Sequence, residues 1–340
     1  MPTFSVAVML RETPDLIDRF VRYYEALGAA EIFLFHDGPL APGPEGDALR
    51  ERLHGNPIVR LEEWTEEMFK DALGEEDAKS FHPKQSYLYM LAKQRNAQDW
   101  IFYCDADEFL IARGDVAELL SRVPKNFRCI SVPVAEAVWG PGDAIEAPFG
   151  STHFRRPIRK AGTWNVARRW LYGENGLLME NNCLGHALGK AFLRHDANAD
   201  LIVSHRSYRN GKIIKTYRVY RSKHLHGALE VAHYDAVGLD RWIEKFRLRN
   251  DKEITNLNMR DARRRQAQIA GTLKDAAERG DRAAAIKEFR GLYGLTSWQY
   301  RALRLGGYAF QADPFAELGL TFDAPAPAVR PAARPPLNGA

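Results

Sequence analysis

The chain has 340 residues, 45% of them apolar, 27% charged and 11% aromatic, with a formal net charge of +4. These values are typical of a globular protein, and the length predicts one large domain or two smaller ones. No apolar run approaches the ~20 residues of a membrane-spanning helix, and the N-terminus lacks a basic start followed by a long apolar stretch. The three cysteines (Cys104, Cys129 and Cys183) form no C-x-x-C pair. An integral membrane protein, a disulfide scaffold and a zinc ribbon are therefore disfavoured, and a cytoplasmic location is expected.

The N-terminal third alternates predicted strands and helices. Residues 3–10 are apolar and β-branched and predict a buried strand, residues 15–27 have helical periodicity up to a stop at Gly28, and residues 31–35 predict a second strand. Such a strand–helix–strand unit implies a parallel pair with a right-handed crossover. The elements that continue the pattern are a helix over 47–53, a strand over 58–62, a helix over 80–97 and a strand over 100–104. This alternation predicts an open α/β sheet flanked by helices.

The remainder is less regular. Short strands are predicted over 128–134, 190–194 and 201–204, a long loop over 139–150, and helices over 239–250 and 261–279. We expect a sheet-containing domain over 1–238, a basic helical extension over 239–323 and a Pro/Ala-rich tail over 324–340 that does not order itself.

The helical extension is strongly basic. Between Arg241 and Arg304 there are 16 Lys and Arg residues against 8 Asp and Glu residues. Such a surface suits an anionic membrane, nucleic acid or a phosphorylated ligand, although a solvated pair of helices is the simpler interpretation. Nucleic acid is disfavoured because the basic residues lack interleaved aromatic motifs and zinc-finger spacing.

The most informative segment is 99–111, DWIFYCDADEFLI, in which an apolar strand leads directly into Asp105, Asp107 and Glu108. In open parallel sheets, ligands bind beyond the carboxyl ends of the strands. Two carboxylates at that edge repel each other unless a cation joins them, and Mg²⁺ and Mn²⁺ take carboxylate and phosphate oxygens. The spacing therefore suits a metal–diphosphate complex, while an acidic turn remains the alternative.

The same segment resembles the W-hydrophobic-D-x-D-E-F motif of family 2-like and family 92 glycosyltransferases. The opening VAVMLRETPDLIDRFVRYYEALGAAEIFLFHDG, Gln85 in KQSYLY, Lys190 in GKAFLR, and His233, Tyr234 and Lys245 in VAHYDAVGLDRWIEKF are similar to their motifs as well. The resemblance covers about residues 3–250. Arg11 stands where many relatives have Asn, and the turn after residue 35 also departs from their pattern.

The resemblance implies a GT-A-type, nucleotide-binding mixed sheet and transfer of a sugar, hexosyltransferase-like and inverting, from a nucleotide-diphosphate donor to an acceptor hydroxyl. The acceptor would be a glycan or lipid-linked. Mn²⁺ or Mg²⁺ would be bound by Asp105, Asp107 and His233, with His226 as a second choice of histidine. The nucleotide sugar would be bound by Glu12, Asp37, Gln85, Asp105 and Lys190.

An inverting transfer also needs a base that takes the acceptor proton. Glu136 and Glu180 follow the acidic motif in acceptor-side segments and are the candidates, although both could be ordinary surface carboxylates. His224 and His226 are expected to share one face of a strand. Trp139, Trp164 and Trp170 could stack on a sugar or pack in the core.

Two other functions remain open. A nucleotidyltransferase also uses paired carboxylates, but the segment after the first strand, RETP, is not rich in glycine as such enzymes require. A non-catalytic protein that binds a glycan or phosphorylated ligand could use the same crevice. The basic helices could also give peripheral contact with a membrane.

Overall fold

The computed structural model describes residues 1–250, 268–269, 271–272, 275 and 281–322. Its strands are β1 Phe4–Leu10, β2 Glu31–Asp37, β3 Val59–Trp64, β4 Trp100–Tyr103, β5 Glu108–Ala112, β6 Cys129–Val132, β7 Val134–Val138, β8 His153–Arg155, β9 Lys190–Arg194, β10 Leu201–Val203, β11 Arg206–Arg209, β12 Lys212–Ile213, β13 Thr216–Arg218, β14 Leu229–His233 and β15 Ala309–Gln311. Its α-helices are α1 Pro14–Ala26, α2 Pro44–Gly55, α3 Glu66–Leu73, α4 Phe81–Arg95, α5 Val116–Ser121, α6 Ala161–Tyr172, α7 Leu239–Asn250, α8 Arg282–Tyr293 and α9 Ser297–Leu305.

The principal sheet has the strand order β13-β6-β9-β4-β1-β2-β3. Strands β1 to β4 run parallel, and β9 runs antiparallel to both β4 and β6. The central strands are apolar on both faces, and all seven residues of β1 are buried. Helices cover this sheet, as a sheet buried on both faces requires. The expected α/β class, a mixed sheet flanked by helices, is confirmed.

A second sheet has the order β15-β8-β7-β14-β5, and β10, β11 and β12 form a small antiparallel sheet. The described part of the predicted extension belongs to this framework, because β15 pairs with β8 and Phe315 packs in the largest apolar core. Residues 261–279 lie largely, and residues 324–340 wholly, outside the described part of the chain. Across the described residues, no helix combines the length and apolar character needed to cross a bilayer.

One local prediction is wrong. His224 and His226 do not lie on a strand; they are exposed residues of a turn that precedes β14. The Ser222 hydroxyl accepts hydrogen bonds from the backbone N–H groups of His224 and Leu225, and this local side-chain bonding favours a turn over a strand. Trp139 and Trp164 are buried in the core, whereas Trp170 is exposed.

Candidate functional site

Three parallel strands direct acidic residues to one edge of the principal sheet. Glu12 follows β1, Asp37 is the last residue of β2, and Asp105 lies two residues after β4. Because the carboxyl ends of parallel strands meet at one edge, these side chains share a side of the molecule where α/β proteins bind ligands.

The acidic motif is also the connection between the two large sheets. β4 ends at Tyr103 in the principal sheet, and β5 begins at Glu108 in the second sheet. The backbone N–H of Asp105 donates a hydrogen bond of 3.0 Å to the Glu108 carboxylate, which fixes this turn. The motif is therefore held from both sides, and its carboxylates have a defined position.

Lys190 forms ion pairs with two carboxylates of the motif, Asp105 and Glu108. It begins β9, and its Nζ lies 2.6 Å from Asp105 Oδ2 and 2.9 Å from Glu108 Oε2, while Gln85 Nε2 donates to Asp105 Oδ1 at 2.9 Å. Burial opposes charging of Lys190, but Asp105 and Glu108 outweigh burial and raise the pKa of its ammonium group. Burial likewise acts to raise the pKa of Asp105, but Lys190 holds that pKa well below its usual range. The pair is thus charged, and Gln85 and Lys190 are brought together with Asp105.

Lys245 forms an ion pair with the third carboxylate of the motif, Asp107. It lies on α7, and its Nζ is 2.6 Å from Asp107 Oδ2 and 3.1 Å from the carbonyl oxygen of Asp235. His233, the last residue of β14, places its Nε2 3.8 Å from Asp107 Oδ1. The Tyr293 hydroxyl donates to the Asp235 carboxylate at 2.5 Å, so α8 supports this side of the site.

Glu12 and Asp37 are paired as well. Glu12 forms an ion pair with Arg241 of α7, and the Nζ of Lys84 on α4 lies 3.1 Å from Asp37 Oδ1. Burial raises the pKa of Glu12, Arg241 opposes this, and Asp107 adds to the increase, which shows that Glu12 is in the field of the acidic motif. Glu12 therefore belongs to the same site as Asp107.

Some of the side-chain atoms near Asp107 are suitable ligands for a divalent cation. Asp107 Oδ1 and His233 Nε2 are separated by 3.8 Å, so these two side chains would be the ones to hold a cation here. In the described part of the chain, no group of three or more His, Cys, Asp and Glu side chains is arranged to hold a metal. Mg²⁺ and similar ions are commonly held by one or two carboxylates together with substrate phosphates. Asp107 fits that pattern, with His233 as a further nitrogen donor, and both oxygens of Asp105 already accept hydrogen bonds from Gln85 and Lys190.

The two candidate bases have different environments. Glu136 on β7 is buried and pairs in register with His233 on β14. Its carboxylate accepts hydrogen bonds from Arg155 (2.6 and 2.9 Å) and from the backbone N–H groups of Leu184 (2.9 Å) and Gly185 (2.5 Å). A Cβ on Gly185 would lie 2.8 Å from the His233 ring, so only glycine allows this close approach. Glu136 thereby holds the 184–185 backbone against His233.

Glu180 is exposed and lies at the start of the same segment. Its backbone forms a two-way bridge with Cys183, with N–H···O distances of 2.7 and 3.0 Å. Residues 180–185 therefore run from the exposed Glu180 to the buried contact between Gly185 and His233.

Two residues of the candidate site, Arg241 and His205, are not predicted from the sequence. Arg241 is one of many basic residues in its region, and nothing local in the sequence pairs it with Glu12. His205 follows β10, and its Nδ1 lies 3.0 Å from the carbonyl oxygen of Gly189, next to Lys190. Burial, with the nearby Lys190 charge, lowers the pKa of His205 to about 3. Its ring is therefore neutral and donates from Nδ1, which leaves Nε2 as an acceptor.

Comparisons with known proteins give structural likenesses alone. No family model matches the chain, and no curated protein matches it. The chain is similar to the crystal structure of S. aureus TarS 1–349 at 10% identity and a TM-score of 0.33, over 81% of this chain and 72% of that one. It is similar to GalNAc-T7 with UDP, GalNAc and Mn²⁺ at 14% identity and a TM-score of 0.36, over 91% of this chain and 58% of that one.

A further similarity is to the apo structure of the bifunctional glycosyltransferase WbbM, at 16% identity and a TM-score of 0.26, over 39% of this chain and 23% of that one. The chain thus spans less than two thirds of WbbM and of GalNAc-T7. Likenesses this weak identify neither a substrate nor a reaction, and membership of family 92 stays a prediction.

Proposed function

We propose that this protein is a metal-dependent glycosyltransferase that moves a sugar from a nucleotide-diphosphate donor to an acceptor hydroxyl in polysaccharide or glycoconjugate synthesis. The observation that carries the proposal is the acidic motif at the carboxyl edge of the principal sheet, where Asp105 and Asp107 each face a lysine. Carboxylates and ammonium groups at one edge match the two needs of a metal–diphosphate complex, which are oxygen ligands and positive charge.

Asp107 and His233 are the residues that would hold Mn²⁺ or Mg²⁺, with Asp105 beside them. The ion, when bound, supplies positive charge to the diphosphate that leaves as the glycosidic bond breaks. Lys190 and Lys245 would act on the same developing charge, since existing ion pairs position both side chains at the acidic motif. Their present carboxylate partners keep these side chains in place before the donor arrives.

Glu12, Asp37 and Gln85 are proposed to contact the nucleotide. Glu12 and Asp37 lie at the carboxyl ends of neighbouring strands and would accept hydrogen bonds from N–H groups of the base or hydroxyl groups of the ribose. Gln85 is proposed to orient Asp105, to which it already donates.

Glu180 is the better candidate for the base that takes the acceptor proton. Glu180 is an exposed residue, whereas the carboxylate of Glu136 is enclosed by an arginine and two backbone N–H groups. We assign Glu136 a positioning role, because it fixes the 184–185 backbone against His233. An inverting, hexosyltransferase-like reaction and a glycan or lipid-linked acceptor are part of the same proposal.

A non-catalytic binding protein is the second candidate, because the carboxylates of Glu12, Asp37, Asp105 and Asp107 each already have a cationic partner. A binder of phosphorylated ligands would need only the cations. Release of nucleoside diphosphate separates the two functions, since only a transferase breaks the glycosidic bond.

The test is to incubate the protein with a panel of nucleotide sugars, with Mn²⁺ or after chelation, and to measure free nucleoside diphosphate. We expect metal-stimulated release with one donor class, lowered about 100-fold or more in Asp107→Asn, an effect typical of losing one electrostatic contact to a transition state. Asp71→Asn, on the exposed surface of α3, is the matched control. Binding without release in any donor would reject the transferase and favour the binder.

A further inference from the structure

Two helices, α6 and α9, present large apolar side chains to solvent. Trp170 on α6 is 67% exposed, Trp298 on α9 is 47% exposed, and their rings lie 5.3 Å apart. Val166, one turn before Trp170, is 73% exposed, and Leu305 at the end of α9 is 90% exposed. We call Val166, Trp170, Trp298 and Leu305 the tryptophan patch. Single exposed apolar residues are ordinary, but adjoining tryptophans flanked by aliphatic side chains mark an interaction site.

The patch is rigidly supported from below. Trp164 and Leu171 form the buried side of α6, and Leu303 forms the buried side of α9; all three belong to one core cluster. At 100° per residue, Val166 lies about 160° and Trp170 about 120° around α6 from the buried Trp164, and Trp298 and Leu305 share a face of α9. Gln299 Nε2 donates to the carbonyl oxygen of Leu171 at 2.5 Å and ties the two helices together. The exposure of the patch therefore does not arise from loose packing.

The two segments that carry the patch are basic in sequence. From residue 160 to 178 there are Lys160, Arg168 and Arg169 against a single acid, Glu174, and from residue 294 to 311 there are Arg301 and Arg304 and no acid. Lys160, Arg169, Arg301 and Arg304 are exposed, whereas Arg168 is half-buried. Arg301 lies on the same face of α9 as Trp298. Tryptophan and leucine side chains surrounded by arginines are the pattern of a surface that lies in the interface of an anionic bilayer.

We propose that the tryptophan patch docks this protein onto the surface of a membrane that contains anionic lipid. A second copy of the chain fits poorly, because a symmetric dimer through the patch would bring Arg169, Arg301 and Arg304 of both copies into one interface. A protein groove fits poorly as well, because Leu305 and Val166 protrude from two helices, whereas a fluid headgroup layer accommodates protruding side chains at any position. The proposal is independent of the sugar-transfer assignment, since it uses none of the site residues.

The test is sedimentation of the full chain with vesicles of phosphatidylcholine alone and of phosphatidylcholine with phosphatidylglycerol. We expect binding to the anionic vesicles, loss of binding at high salt, and a blue shift of tryptophan emission on binding. A variant with Trp170→Ser and Trp298→Ser should bind at least about tenfold more weakly, given the apolar area removed. Arg301→Gln with Arg304→Gln should lose about fivefold for each arginine.

The matched control changes an exposed apolar and basic pair elsewhere, Ile213→Ser with Lys212→Gln on β12. It should bind vesicles like the wild type. Unchanged melting temperatures would show that the patch variants are folded. Equal binding to neutral vesicles, equal binding by the patch variants, or concentration-dependent dimerisation that Trp298→Ser abolishes would each overturn the proposal.

Discussion

Two acid–cation pairs lie next to His233 and differ in what surrounds them. The Asp107–Lys245 pair is partly exposed, at 15% and 30% of the side-chain surface, whereas the Glu136–Arg155 pair is almost fully enclosed, at 2% and 0%. His233 is near both, because it contacts Asp107 and pairs in register with Glu136. A carboxylate that is paired with a cation can therefore contact a ligand only if its other hydrogen-bonding positions are accessible to solvent. By that criterion Asp107 is available to a ligand, and Glu136 is part of the framework.

The largest expected effect is at the enclosed pair. Arg155→Met should lower the free energy of unfolding by about 3–5 kcal/mol, because it leaves the buried Glu136 carboxylate without its cation. Urea denaturation followed by circular dichroism measures this directly. Restoring neutrality with Glu136→Gln in the same chain should recover part of the loss. A change below about 1 kcal/mol in Arg155→Met would contradict the framework role.

The difference between the pairs also explains what the sequence could and could not predict. The motif of Asp105 and Asp107 after an apolar strand is local, and so are the strands of the N-terminal third, where apolar runs of β1 and β2 are bounded by Pro14 and Gly28. The partners are not local: Lys190 and Lys245 are 85 and 138 residues from the aspartates they contact. The fold brings these lysines to the aspartates, and the sequence indicates Lys190 and Lys245 only through the family resemblance. Neither Glu136 nor Glu180 carries a local sign of whether its carboxylate is enclosed.

An intermediate effect is expected at His205, which lies beside Lys190. Its folded-state pKa of about 3 is below the ordinary value near 6.5, so the folded protein binds fewer protons than the unfolded chain between these pH values. Stability should therefore be lost as the pH falls below about 6.5, by about 2 kcal/mol at pH 5 from this group alone. Chemical denaturation at pH 7.5 and pH 5 should show a smaller decrease for His205→Gln than for the wild type. His224→Gln, in an exposed turn, is the control, and an equal decrease in all three proteins would refute the assignment.

A smaller change in stability is expected at the accessible pair. Lys245→Met should cost about 1 kcal/mol or less, since the pair is partly exposed to solvent. The same variant should weaken binding of a nucleoside diphosphate, because it removes a positive charge next to Asp107. Parallel denaturation and titration calorimetry would test both expectations. A loss as large as that of Arg155→Met would erase the distinction between the two pairs.

The smallest change in stability is expected at Glu180. Glu180→Gln should stay within about 0.5 kcal/mol of the wild type, as is usual for surface substitutions. If Glu180 is the base, transfer to the acceptor should fall by about 100-fold or more while donor binding is kept. Rates measured with a fixed donor decide this, with Glu174→Gln as an exposed control. Full transfer activity in Glu180→Gln would remove it as the base.

The most direct test of the central claim is a thermal-shift comparison of nucleoside diphosphates, with and without Mn²⁺, on wild type and Asp107→Asn. At 100 times the dissociation constant a ligand adds about 2.7 kcal/mol to the stability of the folded state. We predict a rise in melting temperature for one nucleoside diphosphate that requires the metal in the wild type and is absent in Asp107→Asn. Equal rises in both proteins, or no rise with any nucleoside diphosphate, would contradict a metal–diphosphate site at the carboxyl edge.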